Sequence, residues 1–307
     1  MKYGIQLYPH ANQRYYESIK SLAISELLVI TSSNKQLIKD VCYEQYGGLE
    51  LLCFTSDDLS DFLLAKIYMH SSLLAIYEIN DNHTLQPIME KYATYFSNDI
   101  DNILKYKGKT NELFTDLMIN VGVFSSTFRE QYSEPLAILD PMCGKGTTMF
   151  KALVKGYHSA GIDIEKDYHL EIENFLKRYF KHATRKYSMT KTSYEILGKK
   201  RALKTTVDTS ITNEHYKAKD TRSIQFVLGE GKYAVTYFGK KKFNVIVADL
   251  PYGVQHQGED SGKRSSVLDV IDESLLDWIS TLKVGGTIVL AYNNKSFSKE
   301  DLKSVLE

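Results

Sequence analysis

The chain has 307 residues, of which 43% are hydrophobic and 25% charged, and its formal net charge is zero. Its three cysteines show no Cys-x-x-Cys or other metal-ligand spacing, so we expect a reducing compartment and no bound metal. The start "MKYGIQLYPHANQ" has no apolar signal-peptide core and no long apolar run follows, which predicts a soluble, cytoplasmic protein with no membrane partner.

Residues 1–105 predict a small α+β domain. Apolar spacing predicts helices in "SIKSLAISELLVI" and "SDDLSDFLLAKIYMH", and "LELLCF" and "SLLAIYEI" are typical of strands. The segment is slightly acidic, so its net charge does not predict nucleic-acid binding.

Residues 106–307 alternate between strand and helix patterns, which predicts a Rossmann-like α/β domain. The predicted strands are "LAILD", "HSAGIDI", "IQFVLGEG", "FNVIVADLPYG" and "TIVLAYN". No antiparallel strand pair follows the last of them. In such a sheet, ligands bind at the carboxyl ends of the strands.

A basic insertion is expected around 175–220, because the interval between the second and third strands is longer than one crossover helix requires. Its first part holds ten cations against one acid, Glu195; the cations are Lys177, Arg178, Lys181, Arg185, Lys186, Lys191, Lys199, Lys200, Arg201 and Lys204. Tyr179, Tyr187 and Tyr194 lie among them. A solvated face and an RNA-contacting arm with stacking rings both fit this pattern.

The stretch "LDPMCGKGTT" is a glycine-rich turn between a predicted strand and a predicted helix. Its glycines allow close backbone approach to a ligand, and the helix start favours a negative group. The turn is neither a Walker A loop nor a dinucleotide fingerprint, because each would need a further glycine that this sequence lacks.

The turn resembles the S-adenosylmethionine site of class I methyltransferases, with Asp163 in "AGIDIE" as the acid that binds the ribose. The corner Asp249, Leu250, Pro251 and Tyr252 resembles the motif of enzymes that methylate exocyclic amino groups. There Asp249 and the Leu250 carbonyl would accept hydrogen bonds from the amine, Pro251 would hold the corner and Tyr252 would stack on the base.

"DLPYG" together with this turn resembles the THUMP-associated RNA guanine-N2 methyltransferases. The segment "GGLELLCFTSDDLSDFLLAKIYMHSS" in turn resembles the ferredoxin-like domain of that family. The resemblance implies S-adenosylmethionine as cofactor and tRNA or ribosomal RNA as partner. It implies these cofactor-binding residues: Thr110, Asn111, Asp140, Pro141, Cys143, Gly144, Gly146, Thr147, Asp163, Ile164 and Glu230. Glu230 would bind the adenine, with Asp220 as a less well placed alternative. No feature indicates an oligomeric state.

Two other functions fit the same residues. A DNA adenine-N6 methyltransferase would use the same corner on a flipped-out base. A non-catalytic methyltransferase homologue that only binds RNA is the alternative from outside the enzymes.

Overall fold

The computed structural model describes residues 1–9, 13–89, 94–97, 99–102, 111–196, 198, 200–251, 256–257 and 264–307. The chain divides into two compact units, Met1–Ala93 and Thr94–Glu307. The domain boundary expected from the sequence, after residue 105, falls a little further along the chain.

The described residues of the first unit form an antiparallel sheet, two α-helices and a short 3-10 helix (Ser32–Leu37). Its elements are β1 (Lys2–Leu7), α1 (Gln13–Ile30), β2 (Lys39–Tyr46), β3 (Leu49–Thr55), α2 (Asp61–Ile67), β4 (Leu73–Ile79) and β5 (Leu85–Pro87). The sheet order is β2-β3-β1-β4-β5. The first six elements therefore form the β-α-β-β-α-β arrangement of a ferredoxin-like domain, with β5 added at one edge.

The core of this unit explains why the strands adopt that order. Strand β1 lies between β3 and β4, and its Ile5 is fully buried together with Leu27 of α1 and Phe54 of β3. Helix α2 begins at Ser60, whose side chain accepts a hydrogen bond from the Leu63 N–H and so caps the first turn.

The second unit is a seven-stranded sheet with helices on both faces. Its helices are α3 (Asp99–Asn102), α4 (Glu112–Ser125), α5 (Thr147–Val154), α6 (Lys166–His182), α7 (Asn213–Lys217), α8 (Ala234–Phe238), α9 (Val267–Thr281) and α10 (Lys299–Leu306). Its strands are β6 (Ala137–Asp140), β7 (His158–Asp163), β8 (Tyr187–Ile196), β9 (Lys200–Thr209), β10 (Arg222–Leu228), β11 (Phe243–Asp249), β12 (His256–Gln257), β13 (Arg264–Ser265) and β14 (Leu282–Ala291).

The order β14-β11-β6-β7-β10-β9-β8 combines a parallel and an antiparallel part. Strands β14, β11, β6, β7 and β10 are parallel, which confirms the Rossmann-like fold. One core layer packs α5 and α6 against the sheet, and another packs α8, α9 and α10 against the opposite face. Strands β12 and β13 pair with each other in a separate ribbon.

The basic segment is divided among several elements. Its described residues belong to the end of α6, to the turn that follows it and to the hairpin β8–β9, which extends the sheet beyond β10 in antiparallel register, and Lys199 lies outside the described residues. The alternating, Thr-rich sequences of both strands are typical of such a hairpin, and Gly198 in its turn has φ +71°.

The three tyrosines of the basic segment take part in packing. Tyr179 is 7% exposed and donates a hydrogen bond to Asp99 Oδ1 at 2.8 Å. Tyr187 packs against Phe180, and the Tyr194 hydroxyl donates to the Tyr237 carbonyl at 3.2 Å. The interpretation with three free stacking rings is therefore not supported, because each ring packs against another aromatic side chain of the second unit.

Candidate functional site

Four parallel strands bring acidic residues to one edge of the sheet. Asp140, Asp163 and Asp249 are the last residues of β6, β7 and β11, and Glu230 follows the end of β10. Parallel strands end at the same edge, so the topology brings together acids that are far apart in sequence. Asp220 precedes β10 at the opposite edge, where it forms an ion pair with Arg222 at 2.7 Å, so of the two candidates only Glu230 lies at this edge.

The glycine-rich turn after β6 is fixed by backbone hydrogen bonds. The Cys143 N–H donates to the Ile162 carbonyl at 2.9 Å, and the Gly146 N–H donates to the Cys143 carbonyl at 2.8 Å. Gly144 and Gly146 have φ values of +51° and +91°, in the left-handed region that side chains with a Cβ rarely adopt. The backbone conformation of the turn is therefore sufficient to require glycine at both positions.

The two glycines differ in what surrounds them. A Cβ at Gly146 would lie 2.7 Å from the Met149 side chain, whereas a Cβ at Gly144 would meet nothing within 4 Å. Gly144 thus presents bare backbone to open space, and Gly146 allows the turn to pack on α5. Helix α5 begins at this turn with Gly146 as its N-cap and no side-chain cap.

Asp163 connects the second strand of the site to the turn. One of its carboxylate oxygens accepts the Gly144 N–H and the other accepts the Glu165 N–H, both at 2.9 Å. A carboxylate offers about four acceptor positions, so further donors can bind the same group. The neighbouring Ile164 is 40% exposed.

Asp140 is an acid in a buried position. Its side chain is 4% exposed, and it accepts hydrogen bonds from the Met142 N–H at 3.0 Å and from the Thr148 side chain. Burial raises the pKa of Asp140 to about 7, against these hydrogen bonds and with a smaller contribution from the negative charges of Asp249 and Asp163. Asp140 therefore changes charge near neutral pH.

Cys143 lies in the turn as a packing residue. Its thiol is buried, and burial raises its pKa well above the ordinary value. A thiolate is the nucleophilic form, so this thiol is unsuited to nucleophilic chemistry. Its sulfur fills the space beside Gly161, where an added Cβ would lie 2.6 Å from it.

The corner after β11 is anchored at Leu250. Asp249 pairs with Ala291 of β14, and the Leu250 N–H extends this ladder by donating to the Ala291 carbonyl at 2.8 Å. Leu250 is 1% exposed, so its side chain holds the corner in the core while Asp249 stays partly exposed. Pro251 follows, half-buried. Tyr252 lies outside the described residues.

Asn111 has a local structural role that sequence reasoning did not identify. It is the N-cap of α4, and its Oδ1 accepts hydrogen bonds from the Leu113 and Phe114 N–H groups at 2.9 and 3.2 Å. Thr110, the other residue expected there, lies outside the described residues.

Two aromatic residues that we did not assign to the site hold the Glu230 backbone. The Tyr237 hydroxyl accepts a hydrogen bond from the Glu230 backbone N–H. Trp278 is fully buried, and its Nε1–H donates to the Gly231 carbonyl at 3.1 Å. The Glu230 carboxylate forms an ion pair with Lys232 at 3.2 Å. The apolar spacing of Trp278 indicates its core position, but nothing in the sequence indicates its bond to Gly231.

The fold of the second unit is that of a Rossmann-like methyltransferase domain. Residues 130–299 match the model of the UPF0020 family, described as an RMKL-like methyltransferase domain. The chain belongs to this family, which confirms the resemblance that its motifs indicate. No curated protein matches the chain.

Two solved structures are distantly similar. TrmN from Thermus thermophilus matches 68% of this chain with 12% identity and a TM-score of 0.39. A protein named PH0851 matches 100% of this chain with 10% identity and a TM-score of 0.36. The alignments cover 44% and 49% of those two chains, so this chain spans about half their length.

Two kinds of feature are missing from the part of the chain that the structure describes. None of the helices there is both long and apolar enough to span a membrane. The same residues contain no group of three or more His, Cys, Asp or Glu side chains arranged to hold a metal ion.

Proposed function

We propose that the carboxyl edge of the second unit binds S-adenosylmethionine and directs methyl transfer to an exocyclic amino group of an RNA base, guanine N2 in tRNA or ribosomal RNA. The observation that supports this best is the arrangement of Gly144, Asp163 and Asp249. Gly144 exposes the backbone of the turn, and Asp163 accepts a hydrogen bond from it. Asp249 precedes the corner at Pro251, and all three residues lie at one edge of the sheet.

The residues of the turn fit the donor. The open space over Gly144 admits a ligand against the backbone, and the uncapped start of α5 favours a carboxylate such as that of a methionine group. The Asp163 carboxylate, beside the turn, would accept hydrogen bonds from the ribose hydroxyls, and Glu230 would accept from the adenine amino group. Asp140, Pro141, Cys143, Thr147 and Ile164 complete the proposed pocket, with Thr110 and Asn111 bordering it.

Asp249 is the proposed catalytic residue, acting through its carboxylate as a hydrogen-bond acceptor. The sulfonium of S-adenosylmethionine supplies an already activated methyl group, so the protein has mainly to position the amine. The lone pair of an exocyclic amine is delocalised into the base. An Asp249 carboxylate and the Leu250 carbonyl that accept its two N–H groups would localise that lone pair toward the methyl group. The bond from the Leu250 N–H to Ala291 fixes the backbone that offers this carbonyl.

Transfer of a labelled methyl group tests the proposal. The purified chain is incubated with labelled donor and either undermodified total RNA or DNA, and incorporation into each is counted. We expect labelling of RNA, its loss in Asp249→Asn and its retention in Asp220→Asn, which alters an acid at the opposite edge of the same sheet. Labelling of DNA alone would support the adenine-N6 alternative. Donor and RNA binding without labelling would support the non-catalytic alternative.

A further inference from the structure

The hairpin β8–β9 reaches the same edge of the sheet as the four acids. The last pair between β10 and β9 is Leu228 with Leu203. Strands β8 and β9 continue past it through Tyr194–Ala202, Glu195–Arg201 and Ile196–Lys200. At about 3.3 Å per residue the tip extends about 10 Å beyond that pair. We call residues 194–202 the hairpin tip.

Three cations of the basic segment have their partners within the second unit. Lys177 and Lys191 both bind the buried Glu173, at 2.6 and 2.8 Å. Arg185 donates to the Ile211 carbonyl at 3.1 Å and lies 4.5 Å from the centre of the Phe96 ring. These charges serve packing within the domain.

Lys204, which sequence reasoning grouped with the arm, anchors the hairpin instead. Its Nζ donates to the Tyr237 carbonyl at 2.7 Å and lies 5.4 and 5.6 Å from the ring centres of Tyr194 and Phe238. The Tyr194 hydroxyl donates to the same carbonyl. Because the Tyr237 hydroxyl also bonds to the Glu230 backbone, this contact joins the base of the tip to the acidic edge.

The charges at the edge explain why RNA would need the tip. Asp140, Asp163, Glu230 and Asp249 give the edge a negative potential that opposes a phosphate chain. Two lysines near these acids are already in ion pairs: Lys145 with Glu171 at 2.7 Å, and Lys232 with Glu230 at 3.2 Å. The tip sequence "YEILGKKRA" holds three cations against one acid, and Arg201 is exposed.

We infer that the hairpin tip is an RNA-docking arm, in which Arg201 contacts a backbone phosphate while Lys204 and Tyr194 hold the arm against α8. This inference rests on the proposed RNA substrate. Strand β9 is four strands from β11, which places the tip about 20 Å across the sheet from Asp249. The arm therefore contacts nucleotides away from the modified base and acts on RNA affinity, leaving the chemical step alone.

The two ends of the same hairpin provide a matched test. The variant Arg201→Glu changes the tip, whereas Lys186→Glu makes the same charge change at an exposed position just before β8, at the other end of the hairpin. The probe is a transcribed, unmodified tRNA, titrated by fluorescence anisotropy between about 50 and 200 mM salt. Donor affinity by calorimetry and methyl transfer at saturating RNA are measured in parallel.

We expect the tip variant to bind the tRNA several-fold more weakly at low salt and to reduce the salt slope by about 0.7 to 0.9, as one lost phosphate contact would. Its donor affinity and its kcat at saturating RNA should equal those of the parent chain, and the control variant should match the parent throughout. A rise in KM without a fall in kcat is a result that mere loss of structure would not give.

The other outcomes separate the inference from the proposed function. Equal weakening in both variants would overturn the inference, because general surface charge would then explain binding. Unchanged affinity and slope in the tip variant would also overturn it, with the proposed function intact. If the parent chain bound no tRNA, or bound a DNA of the same sequence equally well, the RNA assignment itself would be contradicted.

Discussion

The Gly144 backbone N–H donates to the Asp163 carboxylate at 2.9 Å, so the acid at the end of β7 directly holds the turn that follows β6. Two motifs 19 residues apart in sequence thereby form one unit. In the proposed pocket Asp163 has two roles at once, because it fixes the turn and would also accept hydrogen bonds from a ligand.

The first prediction concerns Asp163. Replacing Asp163 with alanine should weaken S-adenosylmethionine binding by about 1–3 kcal/mol, since bound hydroxyls and the Gly144 N–H would lose their acceptor. Calorimetry measures the change, and Asp167→Ala, at an exposed position in the first turn of α6, is the control. Unchanged donor affinity in Asp163→Ala would remove Asp163 from the proposed pocket.

The second prediction uses a pair of glycines with similar backbones. Gly144 and Gly47 have φ values of +51° and +61°, and an added Cβ would meet nothing within 4 Å at either position. Alanine at either should therefore destabilise the chain by a similar amount, about 1–2 kcal/mol, from left-handed strain. Only Gly144→Ala should also reduce donor affinity, by tenfold or more, because its methyl group would occupy the space over the turn in which the donor is proposed to bind. Urea unfolding measures the stability and calorimetry the donor affinity. Equal donor affinity in both variants would argue against donor binding over Gly144.

The third prediction concerns Asp140 and the pH dependence of stability. Because its folded-state pKa of about 7 lies above the unfolded value of about 3.9, its contribution to stability is full at low pH and is lost as pH rises from about 4 to 7. The Asp140→Asn variant should therefore lose less stability than the parent chain over this range. Urea unfolding at pH 5 and pH 8 measures this, and parallel curves for the two proteins would show that Asp140 does not titrate in this range.

The same acid predicts a pH-dependent preference among ligands. A positively charged sulfonium favours ionised Asp140, whereas the demethylated product has a neutral sulfur. Between pH 6 and pH 8 the affinity for S-adenosylmethionine should rise several-fold relative to the product, with proton release on binding. Calorimetry in buffers of different ionisation enthalpy detects the proton, and Asp140→Asn should abolish the effect. An affinity ratio independent of pH in the parent chain would place the sulfonium away from Asp140.

The fifth prediction concerns the support of Glu230. Removing the Tyr237 hydroxyl takes away the acceptor of the Glu230 N–H, so Tyr237→Phe should cost about 1 kcal/mol of stability and weaken donor binding severalfold. Tyr233→Phe, on a half-buried neighbour, is the matched control for loss of a hydroxyl. Equal behaviour of the two variants in calorimetry would mean that the Tyr237 bond does not position Glu230.

Much of the fold and the candidate site follows from local sequence patterns. Alternating strands and helices predict parallel strands, and parallel strands place their last residues at one edge, so Asp140, Asp163 and Asp249 are expected together before any contact is known. The glycine turn is also a local property, because left-handed backbone at Gly144 and Gly146 depends little on distant residues.

Side-chain partnerships depended on tertiary structure. Composition groups Lys204 with Arg201, yet Lys204 bonds to Tyr237 on another element while Arg201 stays exposed. Tyr179, Tyr187 and Tyr194 suggest stacking by their spacing among charges, yet all three pack against other aromatic side chains of the second unit. In each case the sequence determined the residue and its local conformation, and only the folded chain decided which distant atoms would contact it, because the energies of burial and hydrogen bonding depend on neighbours brought from elsewhere in the sequence.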